Sequence, residues 1–156
     1  MRKRIITPTP ADTAPADTWL DLDAVAEVEI TSEDAAHPIE AALLPWPEPG
    51  WRAAGPGQQT IRILFPEPQS LRRVWLEFVE PDRQRTQEFV LRWSPDGGES
   101  LHEIVRQQWN FSPQGAAGET EDVRVQLSGV TVLEVTITPD ISGGDAPASL
   151  ARLRLA

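Results

Sequence analysis

Apolar residues recur at every second position along much of this chain, and that period of two constrains the fold more than any other feature. From Gln87 to Ser94, Phe89, Leu91 and Trp93 fall on one side while Glu88 and Arg92 fall on the other. From Asp122 to Leu127, Val123, Val125 and Leu127 repeat the pattern against Arg124 and Gln126. A helix would scatter these positions around its circumference, so the pattern calls for strands that each hide one face. The same reading predicts strands from Ala24 to Ile30, Thr60 to Phe65, Leu71 to Val79, Leu101 to Gln108, Thr131 to Thr138 and Ser149 to Leu155. Eight strands in 156 residues predict one all-β antiparallel sandwich, a size that can bury a core without disulfides or metal.

Turn signals separate these runs at Pro66-Glu67-Pro68, Pro95-Asp96-Gly97-Gly98, Ser128-Gly129 and Ser142-Gly143-Gly144-Asp145. Two stretches do not read as strand. One runs from Thr31 to Gln59, with a short helical turn expected between Pro38 and Leu44; the other runs from Asn110 to Thr120. Long loops on a rigid sandwich are where function is expected. Residues 1–18, rich in proline and small polar side chains, are expected to be a flexible lead-in, leaving 19–156 as the folded domain. Alternation continues to Leu155, which predicts a closing strand paired inside a sheet.

Charge narrows the partners. With 24 acidic against 14 basic residues, the formal charge is -10, and ten acids but no lysine or arginine lie between Ile5 and Trp51. Such a field repels phosphate backbones, so nucleic acid is disfavoured. The basic start Met1 to Ile6 meets Thr7-Pro8-Thr9-Pro10 before any long apolar run, so no signal peptide, membrane span or membrane partner is expected. The expected location is cytoplasmic, with secretion open if a leader has been lost. Absent cysteine removes disulfides and thiolate chemistry.

Catalytic signals are sparse. The chain has two histidines, His37 and His102, and neither lies in a zinc-protease helix motif or beside a phosphate loop or serine elbow, so no enzyme is expected. His102 reads as chemically silent. His37, in Ser32-Glu33-Asp34-Ala35-Ala36-His37-Pro38, has acids close enough in sequence to orient its ring toward a ligand. Calcium is the one cofactor considered, with Glu33 and Asp34 as candidate ligands and the turn Ser142 to Asp145 as a second place. The six tryptophans carry more information, because an indole ring both fills a core and stacks on flat ligand faces. Trp51, Trp75 and Trp93 read as internal, Trp51 as a plug with Arg52 bonded to loop carbonyls or an acid. Trp19 reads as an anchor for the lead-in. Trp109, at the junction between a strand and the loop from Asn110, reads as a surface ring with Arg106 and Asn110 as donors beside it, and Trp46 reads equally as a second ring at a ligand edge or as one folded onto Trp51 and Leu44.

The order of these features resembles the galactose-binding-like jelly rolls, including the discoidin and coagulation-factor type C domains. The resemblance covers about residues 20–156. It rests on the acidic, histidine-containing loop after the first strand, then Trp51-Arg52-Ala53 and Gly57 to Ile63. It continues through Leu71 to Phe78, the strand and turn Phe89 to Gly98, and the closing Ala148 to Leu153. His37 to Ile63 also looks like the N-terminal domain of the eukaryotic scaffold of single-strand-break repair. The resemblance implies an eight-stranded jelly roll that takes ligands on loops at one end, sometimes with calcium on the first long loop. The aspartate-glycine-asparagine segment of many sugar-binding members is missing between Ala35 and Trp51. Two functions compete: a non-catalytic carbohydrate-binding module using Trp109, Asn110, Arg106, Trp46 and His37, and a cytoplasmic protein-interaction domain. A glycan or a protein is the expected partner.

Overall fold

The computed structural model describes residues 3–4, 19–48 and 50–156. The expected flexible lead-in lies, residues 3–4 apart, outside the described residues. Helix α1 (Leu22–Val25) leads into β1 (Glu27–Ile30), and α2 (Glu40–Leu43) precedes β2 (Trp51–Pro56). Then come β3 (Gln59–Val79), β4 (Arg85–Ser94), β5 (His102–Phe111), β6 (Gly118–Thr138), β7 (Pro147–Leu150) and β8 (Arg152–Leu155).

The strands are cut differently from the expectation. β3 and β6 are single strands of 21 residues each where the alternation predicts four separate runs. Pro66, Pro68 and Gly129 mark bends inside strands, not turns between them. Pairing there jumps from Leu64 opposite Val132 to Gln69 opposite Val130 and then to Leu71 opposite Leu127. Proline has no N–H to give to a ladder, and Gly129 takes a φ of 70° that a side chain would strain. The local pattern therefore breaks although the chain stays extended.

Because they bend, β3 and β6 each serve two layers. The first half of β3 pairs with β1 and with the second half of β6, which continues through β4 to β5. The second half of β3 pairs with the first half of β6 and with β8. All pairings are antiparallel, and β2 with β7 forms a separate two-stranded sheet. The layers face each other over Ile61, Ile63, Leu76, Leu91, Leu133 and Ile137, all fully buried. Phe78 of one layer meets Phe89 of the other at 5.3 Å between ring centroids. Each such side chain contributes about 1.5–3 kcal/mol of transfer free energy.

Three boundaries are corrected. Of the strand expected from Ala24, the first two residues fold in α1 and Ala26 links them to β1, which keeps the last four. β5 runs on to Phe111, so Trp109 and Asn110 are strand residues. The run Ser149 to Leu155 divides at Ala151. Leu150, Leu153 and Leu155 are all buried, although 150 has the opposite parity to 153 and 155, so one residue must leave the pleat. Among the strands β8 pairs with β3 alone and so closes the margin of its layer. Of the tryptophans expected inside, only Trp51 is fully buried. Trp93 is half-buried against His102, and Trp75 lies on the far face of β3 from Val74 and Leu76, covered by Trp19 at 6.5 Å.

Candidate ligand-binding end of the sandwich

The site begins with the segment after β1. The Ser32 hydroxyl donates to Gln59 Oε1 at 2.7 Å, and the buried Trp51 indole donates to the Ser32 carbonyl at 3.0 Å. The Glu33 carboxylate accepts the Ile39 amide at 2.9 Å. Residues 34–37 then dock beside β2: the Asp34 amide donates to the Arg52 carbonyl at 2.8 Å, and the Arg52 amide to that of His37 at 3.2 Å. Asp34 accepts the Ala36 amide at 3.1 Å and faces His37 Nδ1 at 3.3 Å. The Ala36 amide first, and then His37, hold the Asp34 carboxyl below the usual carboxylate range. With Nδ1 engaged, the other ring nitrogen of His37 is left for a ligand.

Beyond this loop lies a concavity of about 200 Å³, walled by His37, Arg52, Val79, Pro81 and Ser149 among others. Alternation along β2 buries Trp51 and Ala53 and turns Arg52 outward, while the register sets Arg52 opposite Ser149 of β7. Val79 ends β3 with 47% of its surface exposed, an apolar floor beside the polar wall. Pro81 is held by its neighbours. Glu80 donates its amide to the Ala117 carbonyl at 2.7 Å and pairs with Arg85 Nε at 2.7 Å. Burial opposes ionisation of Glu80, yet Arg85 and the Asp82 amide keep its carboxyl below its usual range. An imidazole, a guanidinium and a hydroxyl beside aliphatic surface suit a polyhydroxylated ligand. Among the described residues Ser149 makes no hydrogen bond to His37, so the hydroxyl and base of an acyl-transfer site are not joined.

Of the residues singled out from sequence as ligand-binding or metal-ligating, His37 alone lines this concavity. Trp109, Asn110 and Arg106 do not form one cluster, because in a strand a spacing of one or three residues places side chains on opposite faces. Trp109 is opposite Gln87, on the inward side of β5, at 37% exposure. Asn110 accepts the Thr86 hydroxyl at 2.6 Å, and Arg106 pairs with Glu88 at 2.6 Å and Glu103 at 2.9 Å on the outer side. Trp46 is exposed after α2 but is not part of the concavity wall. The Glu33 and Asp34 carboxylates, considered above as calcium ligands, each accept a hydrogen bond within their own loop, and among the described residues no group of three acids or histidines is gathered. Arg52, Val79, Pro81 and Ser149 were not foreseen as a site, and Arg52 makes no side-chain bond to a carbonyl or acid among the described residues. The alternation Trp51-in, Arg52-out was the one signal that pointed to it.

No protein-family model and no curated protein matches the chain. Solved structures do. The family 32 carbohydrate-binding module of NanJ from Clostridium perfringens, in complex with galactose, aligns with TM-score 0.64 and 11% identity over 88% of this chain and 96% of that one. A family 32 module from a family 31 glycoside hydrolase of the same organism gives 0.64 and 16%, over 92% and 97%. The family 32 module of AlyQ, in complex with 4,5-unsaturated mannuronic acid, gives 0.60 and 18%, over 88% and 97%. This company corrects one expectation. The matched structures are bacterial modules of glycan-processing proteins, among them one carried with an alginate lyase domain, and the cytoplasmic location is withdrawn. At such identities the likeness establishes the fold alone: the chain folds as an all-β antiparallel jelly-roll sandwich, similar in structure to bacterial family 32 carbohydrate-binding modules.

Proposed function

We propose that residues 19–156 form a non-catalytic carbohydrate-binding module that takes its ligand at the concavity between His37, Arg52, Val79, Pro81 and Ser149. The observation that carries this reading is the meeting of three polar side chains with an exposed aliphatic floor at the loop-bearing end of a rigid sandwich. Structures of the same fold are described with galactose and with GalNAc-β-1,3-galactose, which supports a glycan over a protein partner. Isothermal titration of the whole chain against a glycan panel, with and without millimolar calcium, tests it. The expected result is competable binding to one sugar class, unchanged by calcium. His37→Ala and Arg52→Ala should each weaken that binding at least tenfold, about 1.4 kcal/mol, while the melting temperature stays within a degree or two. Trp109→Ala should leave affinity unchanged. A loss of binding in the Trp109 variant alone would move the site to the edge of β5, and silence across the panel would overturn the module reading.

A further inference from the structure

Resting on that reading, we infer that the concavity selects a sugar bearing a carboxylate, with the Arg52 guanidinium as the group that recognises it. The chain uses its arginines mainly on its own acids: Arg62 and Arg92 both reach Glu134, Arg73 holds Asp122, Arg85 holds Glu80 and Arg106 holds Glu88. Arg52 is not used in this way: among the described residues no carboxylate lies within ion-pair distance of it, as holds also for Arg72 and for Arg154, which bonds to backbone carbonyls instead. Of these three, Arg52 is the one in the wall of the concavity. Asp34 stands on the adjoining loop, near enough to feel the Arg52 charge but outside ion-pair distance, and its oxygens face the Ala36 amide and His37.

The wall around Arg52 is equally distinctive. The residues lining this concavity include no aspartate or glutamate. Four other concavities of the molecule each have at least one: Glu27 and Glu40 beside α2, Glu29 in two others, and Glu67 in the fourth. In a chain of net charge -10, a hollow walled by a guanidinium, an imidazole and a hydroxyl, with no acid in the wall itself and Asp34 standing behind His37, is a place where an anion meets donors directly. A guanidinium matches the two oxygens of a carboxylate with two parallel, charge-assisted N–H bonds, which are shorter and stronger than its bonds to neutral sugar hydroxyls. Val79 and Pro81 then lie under the ring carbons. The shared ligand chemistry is an acidic saccharide, which has two sources: hexuronic acids, with the carboxylate on C6, and sialyl sugars, with it on the anomeric carbon.

The experiment compares saccharides that differ in the acid group. Trigalacturonate is titrated against α-1,4-galactotriose and 3′-sialyllactose against lactose, on the wild-type chain and on Arg52→Gln and Arg52→Lys. The expected result is that one acidic member binds at least tenfold more tightly than its neutral counterpart. Arg52→Gln should bring the two to within twofold, and Arg52→Lys should restore part of the preference, with melting curves matching the wild type. Whichever pair shows the preference identifies the source of the carboxylate. Equal binding of acidic and neutral members, or a preference that survives Arg52→Gln, overturns the role of Arg52 and leaves the module reading standing. Absence of binding to every saccharide, neutral ones included, overturns both.

Discussion

Glu119 is the residue in this sandwich whose chemistry is most at odds with its surroundings. It lies on β6 opposite Phe78, only 6% exposed, and neither carboxylate oxygen has a hydrogen-bond partner. Burial first, and then Glu121 two residues along the same face, push its carboxyl up to about 8. In the unfolded chain the group ionises near its ordinary value of 4.5, so between these two values the unfolded state sheds a proton that the folded state keeps. Stability tied to Glu119 is therefore complete below about pH 4.5, falls as pH rises and is gone above about 8, a change on the order of a few kcal/mol. Glu119→Gln keeps the shape and removes the titration. Its melting temperature should match that of the wild type at pH 4 and exceed it by roughly 5–10 °C at pH 9. Parallel melting curves at the two pH values would show that Glu119 is ionised in the folded chain.

At the scale of elements, the outer face of the larger layer carries one row of alternating charge across five strands. The registers align Glu29 of β1, Arg62 of β3, Glu134 of β6, Arg92 of β4 and Glu103 of β5 side by side. Glu134 is 4% exposed and bridges Arg62 Nε at 2.8 Å and Arg92 at 3.4 Å; its bond to Arg62, opposed by some burial, raises the guanidinium's affinity for its proton. Both arginines reach solvent, so losing the bridge costs less than stranding a buried charge. Glu134→Gln should lower stability by about 1–2 kcal/mol, read as a shift in the urea midpoint at constant slope. A shift under about 0.3 kcal/mol would show that the row is solvated surface. The row also shows what sequence does and does not reveal. Alternation assigns Arg92 and Glu88 to the outer face without help from the structure. It cannot say that Arg62 and Glu134 are neighbours, because that depends on register between strands far apart in the chain. The same limit hid the candidate site. Arg52 meets Ser149 only through the pairing of β2 with β7, and Val79 arrives at the end of a strand whose two halves read as separate runs, divided by Pro66 and Pro68. Trp109 was misplaced for a related reason: β5 outlasts its apolar alternation, since Gln107 and Gln108 are held by the ladder to β4.

At the scale of the whole molecule, the bends in β3 and β6 gather the binding end. Each strand runs out through one layer and back through the other, so Gln59 and Val79 of β3 and Gly118 and Thr138 of β6 finish near the loops that follow β1 and β5. Arg85, at the start of β4, ties this end together. It is 4% exposed, pairs with Glu80 at 2.7 Å, donates to the Pro139 carbonyl at 2.7 Å and lies over the Phe111 ring at 4.7 Å. One side chain thus links the segments after β3 and β6 to the end of β5, and through Glu80 it fixes Pro81 at the edge of the concavity. Removing one member of a buried pair leaves the other charge stranded, so Arg85→Met should cost about 3–5 kcal/mol and lower the melting temperature by roughly 10 °C. The Arg85→Met, Glu80→Gln double variant removes both charges and should recover much of that stability. Affinity separates the two roles of the clamp. If Arg85 positions the loop that carries Pro81, the double variant should still bind glycan at least fivefold more weakly than the wild type, although neither residue lines the concavity. Wild-type affinity in a double variant of restored stability would reduce Arg85 to a support of the fold.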